Sequence, residues 1–568
     1  MANAVELRST TKHSGLPVIG VFATCDPRID DDARTRAANI VKTSSDIIAK
    51  HVIFPDKTPV PVVYSLTLVD GEKQADAVAR QFRSAGVNIL VCVPDTWAFP
   101  QLGLISLVQQ FEHCPINLTC GNSGPRPGVV FTHAANGAIA QYGRLSHINV
   151  GNWPDTGLNP KMSKDTEEAL VDWCYAAVTA QYLRGKRVVL FGHDSMGMET
   201  ALAHILPTRN VFGIELTRLD MKLLADMLIK KVYDIKELKN LRRWLERYSK
   251  DKIMLKTQED SERFEQSIAM YLIVRNILSD LNAIGGGFMS QLEWGSDLRG
   301  IPLPVADIME SLFNSTFDHN GKKTVIPFAT EADTQGLLTM LFFTHLSGGN
   351  PPLFMDFRKV WEPFELQALV KKAGLTGFDT SAEWYTKGFV DGDNSGSASF
   401  DWAGLPGSSI KQIMSKISFP LADSGYFPGM GNSVTFISPG GIEGIAGRLA
   451  YSSLSNMFTM IWDEAKTVDL PNELTPIICG LTTPTWPHTF IIPKYASMPE
   501  YKQYAPANHL HMTWNLKPSR LQYWMDIANV LSSTPWSARP AFVEGTDRPI
   551  PLLYLLNGGE TAAKMLWK

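Results

Sequence analysis

Glu331 and Asp356 are the residues whose type and setting offer the most chemistry. Each follows an apolar run short enough for a buried strand, 324–329 and 352–355, and 333–345 between them, rich in Leu, Met and Phe and stopped by Gly348-Gly349, reads as a buried helix. A strand–helix–strand unit of this length favours a parallel crossover. Both acids are therefore expected at the carboxyl-terminal edge of one sheet, where α/β proteins place their sites. Two carboxylates side by side repel, and both stay ionised only with a cation between them. The expectation is a hard divalent metal site; the competing reading of each acid is a helix N-cap or a solvated loop residue.

A third ligand is needed, and His509, in the segment APANH, is the candidate among twelve histidines, any of which can instead be a satisfied core residue. Two carboxylates and one imidazole leave about three of six octahedral positions for water or two substrate oxygens. That set suits Mn²⁺ best, with Mg²⁺ or Co²⁺ as alternatives.

The elements that must position these residues alternate. Strands are expected at 17–22, 61–65, 87–93 and 115–119, and helices at 31–50, 72–84, up to 111, and at 134–142, a doubly wound α/β pattern. The stretch 151–164 reads as a linker. A second α/β unit follows with a helix over 165–182, strands at 187–191 and 211–216, and helical sequence from 219 to 284. From about 348 the chain is richer in Gly, Pro and aromatics, with strand-like runs at 433–437, 458–462 and 490–492, so a β-rich domain is expected. The predicted domains are 1–164, 165–347 and 348–568.

At 568 residues, with 19% charged and 44% hydrophobic residues, the chain is too long for one core and too apolar for disorder. A net charge of −4 gives no reason to invoke nucleic acid or an anionic membrane. Six scattered cysteines without a CxxC pair read as reduced and buried, and neither a signal-peptide core nor a membrane span is visible; the expectation is a cytoplasmic protein. Gly192-His193-Asp194-Ser195-Met196-Gly197 suggests a nucleophile elbow, but position 193 is His where that motif needs Gly, so it reads as a turn. No G-x-G-x-x-G follows the first strand, which argues against a Rossmann dehydrogenase.

With the acids and the late histidine in view, the sequence resembles the L-fucose isomerases, hexameric Mn²⁺-dependent aldose–ketose isomerases. The resemblance is densest over FNSTFDHNG, FATEADTQG, FMDFRKVWEP and DNSGSAS and continues through SGYF, TPTWP and PANHL. It implies two α/β domains followed by a β-rich one, Glu331, Asp356 and His509 as metal ligands, and the two carboxylates as the acid/base pair. It also implies a sugar pocket lined by Arg28, Trp97, Gln291, Tyr426, Trp486 and Asn508, with Arg28 and Trp97 serving a neighbouring subunit of a homohexamer. The segments 510–515, 97–100 and 397–407 depart from the family pattern, which puts the part of the pocket beyond C3 in question.

The implied reaction is L-fucose to L-fuculose, and D-arabinose to D-ribulose, by proton transfer between C1 and C2 through a metal-stabilised cis-enediol. An isomerase of another aldose, including one charged at C6, and a metal-dependent sugar aldolase or lyase on the same residues are the alternatives. A non-catalytic sugar-binding protein would need the aromatics but not the two acids.

Overall fold

The structure, a computed structural model, describes residues 5–7, 15–122, 125–153, 157–192, 197–289, 294, 303–452, 457–504, 507–531 and 554–556. They form two compact units, residues 1–184, 210–212 and 517–536 in the first and 185–209, 213–516 and 537–568 in the second. The helix Lys164–Leu183, expected to open the second domain, is counted in the first unit; residues 185–209 and 213–516, which take in most of the expected second and third domains, share the other.

The first unit holds a six-stranded sheet in the order Val5–Leu7, Val62–Ser65, Ile19–Phe22, Ile89–Cys92, Ile116–Gly121, His147–Gly151. Every pairing except that of the first strand is parallel, the doubly wound arrangement read from the alternation of strands and helices. Helix Glu72–Ser84 buries Ala75, Val78, Ala79 and Phe82, an i, i+3, i+4, i+7 stripe that the sequence displays directly. Helix Asp31–His51 starts where Asp30 accepts from the Ala33 amide and Asp31 and Asp32 face the positive end of the helix dipole. The strand His147–Gly151, not expected from the sequence, ends on the first residue of the expected linker, and the helix expected from 134 begins earlier, as Gly128–Gln141.

The second unit contains two sheets. The first is parallel, in the order Phe328–Thr330, Ala283–Phe288, Arg187–Phe191, Glu215–Leu219. Its central strand reads AIGGGF and lies partly inside the stretch expected to be helical. A Cβ on Gly286 would meet the Phe328 ring at 2.6 Å and the Val189 carbonyl at 3.0 Å, so close packing between neighbours, not strand propensity, selects glycine there. The strand expected at 211–216 is displaced: Ile205–Phe212 is a helix ended by Gly213 at φ 71°, and the strand follows as Glu215–Leu219.

The second sheet is antiparallel and closes on itself. Its strands run Glu443–Ser452, His509–Trp514, Leu353–Trp361, Phe389–Asp393, His488–Pro493, Met457–Thr467, and the last pairs again with the first. Six strands form a barrel, with Tyr554–Leu556 added beside Met457–Thr467. The expected run at 433–437 is not a strand and contributes only isolated bridges at Thr435 and Ile437. The two sheets of this unit share one apolar core, in which Val189, Phe288 and Phe328 from the parallel sheet lie with Met355 and Met512 from the barrel.

One expectation is corrected. Glu331 and Asp356 do not leave the same sheet by a parallel crossover: Phe328–Thr330 belongs to the parallel sheet and Leu353–Trp361 to the barrel. Asp356 stands inside its strand, not after it. The apolar run 352–355 is the buried beginning of a nine-residue strand whose middle is polar, so the end of the apolar run was not the end of the strand.

All six cysteines are buried and unpaired. Among the described residues no helix is long and apolar enough to cross a membrane. The Gly192–Gly197 turn lies mostly outside the described residues.

Candidate functional site

Glu331 and Ala332 both take left-handed backbone conformations, φ 60° and 51°. For residues with a Cβ this costs about 1–2 kcal/mol each, and such strain gathers at functional sites. The turn is held by the Ala332 amide donating to the Phe288 carbonyl at 3.0 Å, and it delivers a Glu331 only 7% exposed. The N-cap of the following helix is Asp333, whose carboxylate accepts from the Gly336 amide at 2.8 Å. Capping therefore falls to Asp333 and not to Glu331. Gly336 is required here, since a Cβ would lie 2.6 Å from Asp333 Oδ2 and 2.7 Å from His511 Nε2.

In the barrel, Asp356 pairs across the ladder with His509 on one side and with Asp393 on the other, and Asp393 pairs with His488. Four polar residues thus form one row over four neighbouring strands. His509 Nε2 stands 3.3 Å from Glu331 Oε2 and 3.2 Å from Asp356 Oδ1, bringing together the three residues singled out in the sequence.

The imidazole is fixed from behind. Asp333 Oδ2 accepts from His509 Nδ1 at 2.7 Å, which fixes the ring so that Nε2 faces the two acids. Arg448 donates to the two Asp333 oxygens at 2.5 and 3.0 Å and to the Thr200 carbonyl at 2.7 Å. Asp333 and Arg448 are completely buried. Burial disfavours an Asp333 charge, yet Arg448 and His509 outweigh it and hold the carboxyl far below its ordinary range. Burial also works against a charge on His509, but the carboxylates of Asp333, Asp356 and Glu331 raise it well above its ordinary value. Burial and the Asp356 charge raise Glu331. Burial and the same charge push Asp393 up to about 7.

The donor set fits a divalent cation. His509 Nε2 is buried with no hydrogen-bond partner, and two carboxylates beside it would be relieved by positive charge. As the side chains stand, no group of three or more His, Cys, Asp or Glu among the described residues is placed to hold a metal ion.

Of the expected pocket residues, Trp486 is buried and its ring packs 5.7 Å from that of Tyr426, which is half exposed. Asn508, exposed, precedes His509; its carbonyl accepts from the Phe357 amide at 2.5 Å and its side chain donates to Met198 Sδ at 3.2 Å. Arg28 and Trp97 belong to the first unit, where Arg28 pairs with Asp26 and lies over Phe99, which also meets Trp97. Gln291 lies outside the described residues. Sequence reasoning missed Asp333, Arg448 and Asp393. Asp333, two residues past Glu331, was readable as a cap; the pairing that gives the other two their roles has no local signal.

Glu310 adds a further buried carboxyl, accepting from Thr330 Oγ1 at 2.7 Å and Ser397 Oγ at 2.9 Å. Burial pushes it up to about 7, only partly offset by those two donors. Unfolded, it would titrate near 4.3. A folded value above the unfolded one means that its stability contribution is full below about pH 4 and is lost as pH rises through 7. Glu310→Gln does not titrate, so its stability relative to the parent is expected to rise between pH 4 and 8, by up to about 3 kcal/mol. Denaturant midpoints at several pH values check this, and a difference independent of pH would refute it.

The first N-terminal domain of L-fucose isomerases matches residues 16–185, and the second N-terminal domain matches residues 186–348. L-fucose isomerases of Haemophilus influenzae, Streptococcus pneumoniae and Phocaeicola vulgatus are each 24% identical, over 84–86% of this chain and 84–87% of their own. Fold and relatives together define a sugar isomerase of the aldose–ketose class. The chain belongs to the L-fucose isomerase family.

Proposed function

We propose that this enzyme converts L-fucose to L-fuculose, and D-arabinose to D-ribulose, by moving a proton between C2 and C1 of the open-chain sugar through a cis-enediol. The observation that carries the proposal is the unpartnered Nε2 of His509 standing 3.3 and 3.2 Å from the oxygens of Glu331 and Asp356. Glu331, Asp356 and His509 would hold a divalent cation, Mn²⁺ by preference over Mg²⁺ or Co²⁺. When bound, it would polarise the carbonyl and stabilise the negative charge that develops on O1 and O2. Glu331, strained and buried, takes the proton from C2 and returns it to C1, and Asp356, 20% exposed, exchanges a proton with the oxygens. Asp333 keeps the imidazole ring oriented with Nε2 toward the acids. Trp486 and Tyr426 cover the apolar face of the sugar, and Asn508 fixes a hydroxyl. The assembly is proposed as a cytoplasmic homohexamer in which Arg28 and Trp97 complete a neighbour's site.

Proton NMR of L-fucose, D-arabinose and other aldoses in D₂O, with metal-stripped enzyme before and after Mn²⁺, tests the reading. Ketose that forms only with Mn²⁺ and carries deuterium at C1 is the expected result. Ketose without deuterium would replace proton exchange by a hydride shift or a shielded proton. A smaller carbonyl product would make the enzyme a lyase.

A further inference from the structure

The site continues past Asp356. Between Phe357 and Lys359 the ladder slips by one residue against Phe389–Asp393, leaving Arg358 as the extra residue of a β-bulge. Bulges beside active sites commonly re-aim a side chain. Arg358 is exposed, its side chain 35%, yet it reaches back to the polar row: Nε lies 3.7 Å from Asp393 Oδ2. Its guanidinium carbon sits 5.7 Å over the Trp486 ring, and Trp486 in turn packs on Tyr426. Asp393 is immobilised by a hydrogen bond from Thr483 Oγ1 to its Oδ2, while its Oδ1 is buried with no partner. Asp393 thus has one oxygen held by Thr483 and near Arg358, and a second, buried one that makes no hydrogen bond.

We infer that Arg358 and Asp393 form the subsite that reads a hydroxyl of the sugar chain beyond C2. The inference rests on the isomerase reading above for the placement of C1 and C2 between Glu331 and Asp356. Two residues along a strand advance roughly 6–7 Å, the span of a few carbons of an extended sugar, so Arg358 lies at the distance of the distal hydroxyls. Arg358 donates, Asp393 Oδ1 accepts, and one hydroxyl can satisfy both. Arg358 already faces a carboxylate, so the subsite suits a neutral polyol end better than an anionic one. The bulge, not the regular strand register, decides that the guanidinium leans over Trp486.

The test uses the Mn²⁺-loaded full chain and the alditols of L-fucose and D-arabinose, which have no carbonyl to isomerise, with glycerol as a ligand too short to reach Arg358. Calorimetric titration of Arg358→Met and Asp393→Asn is expected to show alditol binding weakened about 10–100-fold in each, the loss of a hydrogen bond to a charged group. The effects of the double variant should be less than additive, and glycerol binding should not change. In turnover the same variants should raise KM with kcat moved little, the mark of uniform binding lost. Wild-type affinity of Arg358→Met for both alditols overturns the inference, as does an equal loss with glycerol, or no alditol binding by the parent. Alditol binding that depends on Arg358, in an enzyme that isomerises no aldose, keeps the subsite and rejects the proposed function.

Discussion

Glu331→Gln is expected to lower kcat by about 10⁴ or more and to strip the enzyme of bound Mn²⁺. The substitution is isosteric, so the strained turn at φ 60° and 51° can survive it. What goes is the charge: an amide cannot take a proton from C2, and removing general acid–base catalysis alone costs about 10²–10⁴. Loss of an anionic ligand adds to this, because only Asp356 and neutral His509 would remain for the cation. Stability should hold or rise, since Glu331 is buried beside Asp356 and like charges in a dry site oppose folding. The decisive readings are metal content after dialysis, deuterium incorporation at C1 in D₂O, and the unfolding midpoint. A folded Glu331→Gln enzyme that retains a tenth of parental kcat would show that this carboxylate neither moves the proton nor holds the ion.

The second large effect comes from behind the histidine. Arg448→Met is expected to destabilise the second unit by about 3–5 kcal/mol, the usual consequence of leaving one member of a buried ion pair uncompensated. Arg448 and Asp333 are both wholly buried, and Arg448 supplies two of the hydrogen bonds that keep the Asp333 carboxylate ionised. Without it Asp333 gains a proton more readily, its hold on His509 Nδ1 weakens, and Nε2 is no longer fixed on Glu331 and Asp356. Mn²⁺ affinity should then fall about 10–100-fold, as when other partners of metal-binding histidines are removed. The double variant Arg448→Met/Asp333→Asn separates the two consequences. Stability should be partly restored, because the stranded charge is gone, while metal affinity stays low, because nothing orients the ring. If the double variant recovers metal affinity together with stability, Asp333 only supports the fold and does not position His509.

Much of the architecture was legible before any coordinate. Alternation of short β-branched strands with amphipathic helices specifies a parallel, doubly wound sheet through local chemistry, and helix Glu72–Ser84 shows its buried stripe in sequence. Glu331, Asp356 and His509 stood out by residue type, and a family resemblance tied them together. The sequence did not show that the two acids come from different sheets. Antiparallel register between Leu353–Trp361 and His509–Trp514 puts Asp356 opposite His509, and that pairing joins segments far apart in the chain. Strand runs such as 433–437 failed for the same reason: a strand exists only if a partner edge is present, which a local pattern cannot report. Glycine-rich Ala283–Phe288 is a strand because its neighbours press too close for a side chain, a property of the neighbours.

Residue types therefore determined by themselves what chemistry this chain can do and which helices and parallel strands support it, since periodicity, capping and charge act over a few residues. Only the tertiary structure decided which carboxylate caps a helix and which faces His509, which arginine neutralises Asp333, and that a one-residue slip aims Arg358 over Trp486. Those outcomes depend on long-range register and barrel closure, where shifting a strand by one residue exchanges the faces of every side chain it carries.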